Sequence, residues 1–209
     1  MEWNESMRLD IKSRDFYRLL DDLSQGVKVY AVGGSVRDQM MSNSPHDIDI
    51  AVGQPIEWIL NYFLESKPAY IKNINQVGVS FGIIKVVLTD GTNIDIAQFR
   101  TETYTDESRK PDTVTFVKTI EEDLARRDFT INAMALLYLG SGEFQLIDPF
   151  GGLEDLHNGI IKAVGNPEDR LKEDPLRIQR GIRFKVKFGF TIEQKLAEAM
   201  EKLGYLLEA

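Results

Sequence analysis

Six consecutive residues, Asp47-Ile48-Asp49-Ile50-Ala51-Val52, begin with a strict alternation of acidic and apolar side chains. This alternation predicts a β-strand, because successive side chains of a strand point to opposite faces. Asp47 and Asp49 then project together from one face, while Ile48 and Ile50 project together into a core. The chain is therefore expected to build a sheet with one buried face and one face open at two carboxylates.

The rest of the chain mixes strand and helix patterns. The segments from Ile83 to Leu88 and from Asn93 to Phe99 flank the turn Thr89-Asp90-Gly91-Thr92, which predicts a hairpin. Further strands are predicted at 27–32 and 144–147, and helices at 14–23, 55–64, 121–139 and from Asn166 onward with a break at Pro175. The polar segment 101–118 is expected to be a long mobile loop.

This mixture predicts an α+β fold. A mixed β-sheet flanked by helices is expected over residues 1–152, and an all-α segment over residues 153–209. No window of 18 residues is continuously apolar, so no transmembrane helix is expected. The N-terminus lacks the layout of a signal peptide, and the absence of cysteine fits a reducing cytoplasm.

The residue types present restrict the metal chemistry. The chain has no cysteine and two histidines, which excludes thiolate sites and argues against a histidine-rich zinc site. Any metal is expected to be a hard cation held by carboxylates.

The net charge of −8 is unusual for a protein that binds nucleic acid, but its distribution is uneven. Residues 170–187 hold seven basic and two acidic side chains, a net +5, so the remainder carries about −13. A basic helix on an acidic body can bind a polyphosphate locally.

Asp47 and Asp49 repel each other unless a cation lies between them, and oxygen-only ligation favours Mg²⁺. The alternative is an exposed strand whose two acids are simply solvated. The segment Gly33-Gly34-Ser35-Val36-Arg37 favours the metal site, since a glycine turn before a helix can cradle a phosphate. Ser35 is predicted to cap that helix and Arg37 to add a charged contact. Asp95 lies in a second alternating strand and is predicted to face the pair.

These residues resemble a known signature. Gly33-Gly34-Ser35-Val36-Arg37-Asp38 followed by Asp47-x-Asp49 is similar to the DNA polymerase β-type nucleotidyltransferases, in the branch of class II tRNA nucleotidyltransferases and bacterial poly(A) polymerases. The resemblance implies that Asp47 and Asp49 bind Mg²⁺ and that a third acidic residue, here Asp95, completes the site. It also implies in-line attack by an RNA 3′-hydroxyl on the α-phosphate of a nucleoside triphosphate.

Two further segments extend the resemblance. Arg126-Arg127-Asp128-Phe129-Thr130-Ile131-Asn132 resembles the family's ribose motif, which implies sugar or phosphate contacts for Arg127, Asp128 and Asn132. The segment from Glu173 to Phe184 resembles the motif in which an Asp and an Arg read the edge of the incoming base. Asp174 and Arg177 would select CTP and ATP, and Arg180 and Arg183 would contact or orient phosphate.

Both segments also have a purely structural interpretation. Phe129, Ile131 and Met134 suit a core, although Asn132 among them needs polar partners. Asp174 and Pro175 suit the N-cap and first position of a surface helix whose buried stripe is Ile178 and Ile182.

The resemblance implies addition of CMP and AMP from CTP and ATP to the 3′ end of tRNA. Addition of A alone and poly(A) synthesis remain alternatives, as does a catalytically silent module that binds nucleotide or RNA. The region 77–85 lacks the paired arginines usual in bacterial poly(A) polymerases, which argues against poly(A) synthesis. The sequence leaves the oligomeric state open.

Overall fold

The structure is a computed structural model that describes residues 6–44, 47–103 and 113–207. The chain forms two compact units. Unit 1 comprises Met1–Phe99, Phe116–Ile120 and Ala135–Ile147, and unit 2 comprises Arg100–Thr115, Glu121–Met134 and Asp148–Ala209. None of the helices in the described ranges combines the length and the apolar character needed to cross a membrane.

The strands follow one another along the described chain as β1 (Met7–Arg8), β2 (Val29–Val32), β3 (Asp47–Val52), β4 (Ile71–Asn75), β5 (Ile83–Leu88), β6 (Asn93–Gln98), β7 (Arg100–Thr103), β8 (Thr113–Phe116), β9 (Ala135–Gly140), β10 (Glu143–Ile147), β11 (Ile160–Ile161) and β12 (Thr191–Ile192). The helices are α1 (Arg14–Leu23), α2 (Gly34–Met40), α3 (Ile56–Ser66), α4 (Ile120–Ala125), α5 (Gly152–Asn158), α6 (Pro167–Glu173), α7 (Leu176–Phe188) and α8 (Gln194–Leu203).

Unit 1 is built on an eight-stranded sheet with the order β1-β10-β9-β2-β3-β6-β5-β4. Strands β3 and β6 are parallel, and the other neighbouring pairs are antiparallel. The predicted α+β fold with a mixed sheet is confirmed, as is the hairpin of β5 and β6. Ile48 and Ile50 are buried, in agreement with the alternation of β3.

Helix α3 packs on β5 and β6 through Ile59 and Phe63, and helix α1 packs on β9 through a buried apolar stripe. Two aspartates on the polar side of α1 accept hydrogen bonds from tyrosines. Tyr138 donates a hydrogen bond to Asp21, and burial together with this bond raises the pKa of Tyr138 to about 12. Tyr62 and Tyr70 both donate to Asp22. These bonds fix the position of α1 through the two aspartates near its C-terminal end.

Two predicted elements are wrong. The segment 101–118 is not one long loop, since β7 and β8 pair in a two-stranded sheet. Its β-branched residues favour extended backbone, while residues 104–112 lie outside the described ranges. The predicted helix at 121–139 ends at Ala125, and β9 follows at Ala135. A short apolar run fits a buried strand as well as a helix, and pairing with β2 and β10 decides for the strand.

Unit 2 contains α5 to α8 and the extended segment 128–130. This segment runs against residues 162–164, because Thr130 N donates to Lys162 O at 2.9 Å and Val164 N donates to Asp128 O at 3.0 Å. The predicted break at Pro175 is confirmed, as it separates α6 from α7. The expected all-α character is incomplete, because β11 and β12 form a short parallel pair.

Two details of α7 also differ from the prediction. Pro175, not Asp174, occupies the N-cap position, and the Asp174 carboxylate accepts from Leu176 N at 3.0 Å. Ile182 is 49% exposed, whereas Gly181 is buried against Phe129 and Met200. Helix α7 therefore packs on the rest of unit 2 through Ile178 and Gly181, whereas Ile178 and Ile182 were expected to form its buried stripe.

Gly152, the first residue of α5, has no room for a side chain. A Cβ atom there would overlap the carbonyl oxygen of Thr130 and press on Met134. We expect Gly152→Ala to lower the free energy of unfolding by about 3 kcal/mol, because backbone must move to relieve the overlap. Urea unfolding measures this change in the free energy of unfolding. Gly204→Ala is the matched control, since Gly204 has a helical φ of −56° and open space around it. Equal stability of the two variants would contradict the prediction.

Candidate active site

The three predicted acidic residues lie on one face of the unit 1 sheet. Asp47 and Asp49 lie exposed on β3, and the register of the parallel β3–β6 pair sets Asp49 directly beside Asp95. Across the next strand pair, Asp95 lies beside Lys85 of β5. Because in-register neighbours share a face, Asp49, Asp95 and Lys85 form one row across three strands.

Asp95 is bound by a cation of the protein itself. Lys85 Nζ donates to Asp95 Oδ2 at 2.8 Å. This hydrogen bond and the negative charge of Asp95 raise the pKa of Lys85, burial opposes them to a lesser degree, and the charges of Asp49 and Asp47 add still smaller increases. Lys85 therefore carries its positive charge at neutral pH, and it lies near three carboxylates.

The carboxylates fit a hard divalent cation by the chemistry of their donors, since all are ionisable oxygens on one exposed face. They are not already gathered as a three-ligand cluster: within the described residues no set of three acidic or histidine side chains has metal-binding geometry. Asp47 and Asp49 supply a pair, and Asp95 is turned to Lys85. Sequence analysis placed the three acids on one face but did not include Lys85.

The glycine turn between β2 and α2 has the backbone that its sequence requires. Gly33 has φ 74° and ψ −145°, a conformation that residues with a side chain rarely adopt. Gly33 is the N-cap of α2, so the prediction that Ser35 caps the helix is wrong. Ser35 lies in the first turn instead, and its hydroxyl donates to Val32 O at 2.9 Å.

Arg37 lies over this turn. A Cβ atom on Gly34 would come within 3.2 Å of Arg37 Nη2, so the second glycine makes room for the guanidinium. Arg37 is buried and donates through Nε and Nη2 to Asp38 Oδ1 at 2.9 and 2.8 Å. The predicted phosphate-binding residue is therefore a fixed positive charge beside the turn, held by its neighbour.

In unit 2 the arginines of the predicted ribose motif surround one buried acid, Asp123. Its Oδ1 accepts from Arg127 Nη2 at 3.0 Å, and its Oδ2 accepts from the backbone N–H of Arg100 at 3.0 Å. Arg126 Nη2 is 3.6 Å away. Sequence analysis missed Asp123, although its spacing of four residues before Arg127 is the usual one for an ion pair on a helix.

Asp128 and Asn132 are buried and bonded to each other. Asp128 Oδ1 accepts from Asn132 Nδ2 at 3.1 Å and from Phe129 N at 2.7 Å. Asp128 Oδ2 lies 2.7 Å from Arg180 Nη2, without hydrogen-bond geometry. The polar partner that Asn132 requires is thus Asp128, and Arg180 of α7 balances the charge of that acid. Arg183 is exposed on the same helix.

Arg177 is buried with 8% of its surface exposed, at the junction of α6 and α7. Its Nη1 donates to Arg170 O and Glu173 Oε2, both at 3.0 Å, and its Nη2 donates to Arg126 O at 3.1 Å. These bonds use three of the five N–H groups of a guanidinium. Asp174 ends α6, directly before the turn that begins α7. Glu173, which orients Arg177, was also missed, although it stands four residues before it.

Comparison with known proteins assigns this architecture. The model of the poly A polymerase head domain family matches residues 29–162, which is more than half of the chain and includes the glycine turn, the three aspartates and the ribose motif. The chain belongs to this family.

Several similar proteins are named CCA-adding enzymes. The CCA-adding enzyme of Enterococcus faecalis is 43% identical over 185 residues, which is 88% of this chain and 42% of that protein. The CCA-adding enzyme of Bacillus stearothermophilus, solved in complex with CTP, is 34% identical with a TM-score of 0.73, over 90% of this chain and 43% of that one.

A tRNA nucleotidyltransferase solved with a primer tRNA and an incoming ATP analogue is 28% identical with a TM-score of 0.67, over 88% of this chain and 48% of that one. The chain thus spans less than half the length of each of these relatives.

Proposed function

We propose that this protein is a template-independent RNA nucleotidyltransferase that adds CMP and AMP, from CTP and ATP, to the 3′ end of tRNA. The observation that carries this proposal is the face of three carboxylates in the matched head domain. Relatives named CCA-adding enzymes, one solved with CTP, support the choice of substrates, and a relative solved with primer tRNA supports the acceptor. The cysteine-free sequence supports a cytoplasmic site of action.

Catalysis is proposed to depend on a divalent cation, with Mg²⁺ as the ion. Asp47 and Asp49 would hold it, and Asp95 beside Asp49 would complete the acidic set. When bound, the metal supplies a lowered pKa for the attacking hydroxyl and charge neutralisation at the phosphate. The oxygen-only donor set on an exposed strand face supports this choice of ion.

The glycine turn would bind the triphosphate. Gly33 gives the turn before α2 a backbone conformation that suits glycine, and Arg37 places its charge beside this turn, which supports the role. Ser35 would act through the turn, because its hydroxyl fastens the first residues of α2 to Val32.

Unit 2 would bind the sugar and the base. Arg127 would contact the sugar or phosphate, while Asp128 and Asn132, which are buried and bonded to each other, would hold the ribose side of the site in shape. Asp174 offers acceptors and Arg177 keeps two donors, the complement of the amino group and ring nitrogen that C and A share. Arg180 and Arg183 would orient these groups or contact phosphate.

The test is incorporation of labelled CMP and AMP into tRNA that lacks its terminal CCA. We expect the protein to extend this tRNA with CTP and ATP, and not with UTP or GTP. The alternative is a silent module, for which the protein would bind CTP or ATP, measured by calorimetry, yet transfer no label at any Mg²⁺ concentration. That result would overturn the proposed function.

A further inference from the structure

Lys85 places a positive charge on the acidic face of the sheet. It is the third member of the in-register row formed with Asp49 and Asp95, and its ammonium lies 2.8 Å from Asp95 Oδ2. Asp47, two residues before Asp49 on the same face of β3, adds a further negative charge. A cation with this placement lowers the repulsion among the acids without any metal.

The pair is exposed enough to open. The side chain of Lys85 is 63% exposed and that of Asp95 is 39% exposed, so water reaches both groups. An exposed ion pair contributes little to stability, which means that breaking it costs little. A divalent cation that takes Asp95 as a ligand therefore has to break only the weak ion pair between Lys85 and Asp95.

We propose that Lys85 is a positioning residue that acts as a built-in counter-cation: it holds Asp95 when no metal is bound and competes with the divalent cation for that carboxylate. This inference rests on the proposed function, because it assumes that the metal binds at Asp47 and Asp49.

The sign of the effect follows from the charges. A divalent cation that binds beside Asp49 and Asp95 is repelled by the positive charge of Lys85. It must also share the Asp95 carboxylate with Lys85 or displace Lys85 from it. Replacing Lys85 with an uncharged side chain of similar length removes both penalties. For a divalent ion about 6 Å from the ammonium in a wet site, the expected gain is roughly tenfold in affinity. Salt screens such interactions, so the gain is expected to shrink at high ionic strength.

A different role for Lys85 predicts a different result. If its ammonium served mainly to bind the triphosphate of the nucleotide, its removal would weaken nucleotide binding and leave metal affinity without nucleotide unchanged. The two roles are therefore separated by measuring the metal alone.

The experiment titrates the full chain with Mn²⁺ in the absence of nucleotide and follows the free ion by electron paramagnetic resonance. Lys85→Met is expected to bind Mn²⁺ roughly tenfold more tightly than the unchanged protein at low salt, and Lys85→Arg to resemble the unchanged protein. Lys72→Met is the matched control, because Lys72 is an exposed lysine of the neighbouring strand β4. It is expected to have no effect.

Two further variants locate the effect. In the Asp95→Asn background, Lys85→Met is expected to give no additional gain, because the competition acts through Asp95. Suppose that Asp47→Asn loses Mn²⁺ binding but Lys85→Met binds Mn²⁺ no more tightly than the unchanged protein. That result would overturn the role of Lys85, while the metal site at Asp47 and Asp49 would still hold. If Asp47→Asn retained the ion, the metal site of the proposed function would fail as well.

Discussion

Asp47→Asn is expected to lower the rate of nucleotide addition on the order of a thousandfold while leaving the fold intact. The substitution removes one negative charge from the exposed face of β3, where Asp47 and Asp49 project together. An amide is a poor ligand for a hard divalent cation, and loss of about 4 kcal/mol of transition-state stabilisation corresponds to that factor. Because the side chain is exposed and nearly isosteric, stability is expected to change by less than about 0.5 kcal/mol.

Single-turnover extension of tRNA at saturating CTP measures the effect, and urea unfolding checks the fold. Glu57→Gln is the matched control, since Glu57 is an exposed acid in the first turn of α3 in the same unit. It is expected to retain the rate of the unchanged protein. A rate for Asp47→Asn within tenfold of that of Glu57→Gln would contradict the catalytic role of Asp47.

Arg177→Lys is expected to affect both stability and the choice of nucleotide. Lysine keeps the charge but loses the planar fork, so it cannot hold Arg170 O, Glu173 and Arg126 O at once. Buried acceptors left without donors are expected to lower the free energy of unfolding by about 3 kcal/mol. The donors proposed to read the base are lost in the same step, so discrimination against UTP and GTP is expected to fall at least about tenfold.

The two consequences are measured separately, by urea unfolding and by the ratio of kcat/KM for CTP and UTP. Lys185→Gln is the control, because Lys185 is an exposed basic residue of the same helix. A variant Arg177→Lys that loses stability but keeps the full CTP preference would make Arg177 a structural link between α6 and the Arg126 carbonyl, and would contradict its role in reading the base.

The acidic face could be predicted from the sequence because strand alternation is a local property. Asp47-x-Asp49 and the alternation around Asp95 fix which side chains share a face as soon as the strands form. The hairpin turn at 89–92 then brings β6 into register with β5. The position of Lys85 follows from the same register, although a single lysine in an alternating strand does not by itself indicate a metal site.

The sequence was a poorer guide where tertiary contacts decide. The apolar run at 135–140 is compatible with a helix or a strand, and its pairing between β2 and β10 settles the matter only in the fold. Ile182 suited the buried stripe of α7 by spacing, yet the closest packing uses Gly181 against Phe129. A small residue that allows close approach leaves no apolar signal in the sequence.

The predicted nucleotide-binding residues of unit 2 have partners that the motif did not reveal. Asp128 and Asn132 bond to each other, and Arg127 and Arg177 are oriented by Asp123 and Glu173. Motif resemblance selects residues by type and order, whereas the partner of a buried charge depends on which segments the fold brings together. The ligand contacts of these residues therefore remain predictions, and the bonds between them describe how they are held.

Stepwise addition of C and A to tRNA is tested most directly with three tRNAs. They end before CCA, after the first C and after the second C, and each is offered either CTP alone or ATP alone. We expect the first two to be extended with CTP and only the third with ATP. Extension with ATP alone of all three tRNAs, into tails of many residues, would contradict the claim and identify poly(A) synthesis instead.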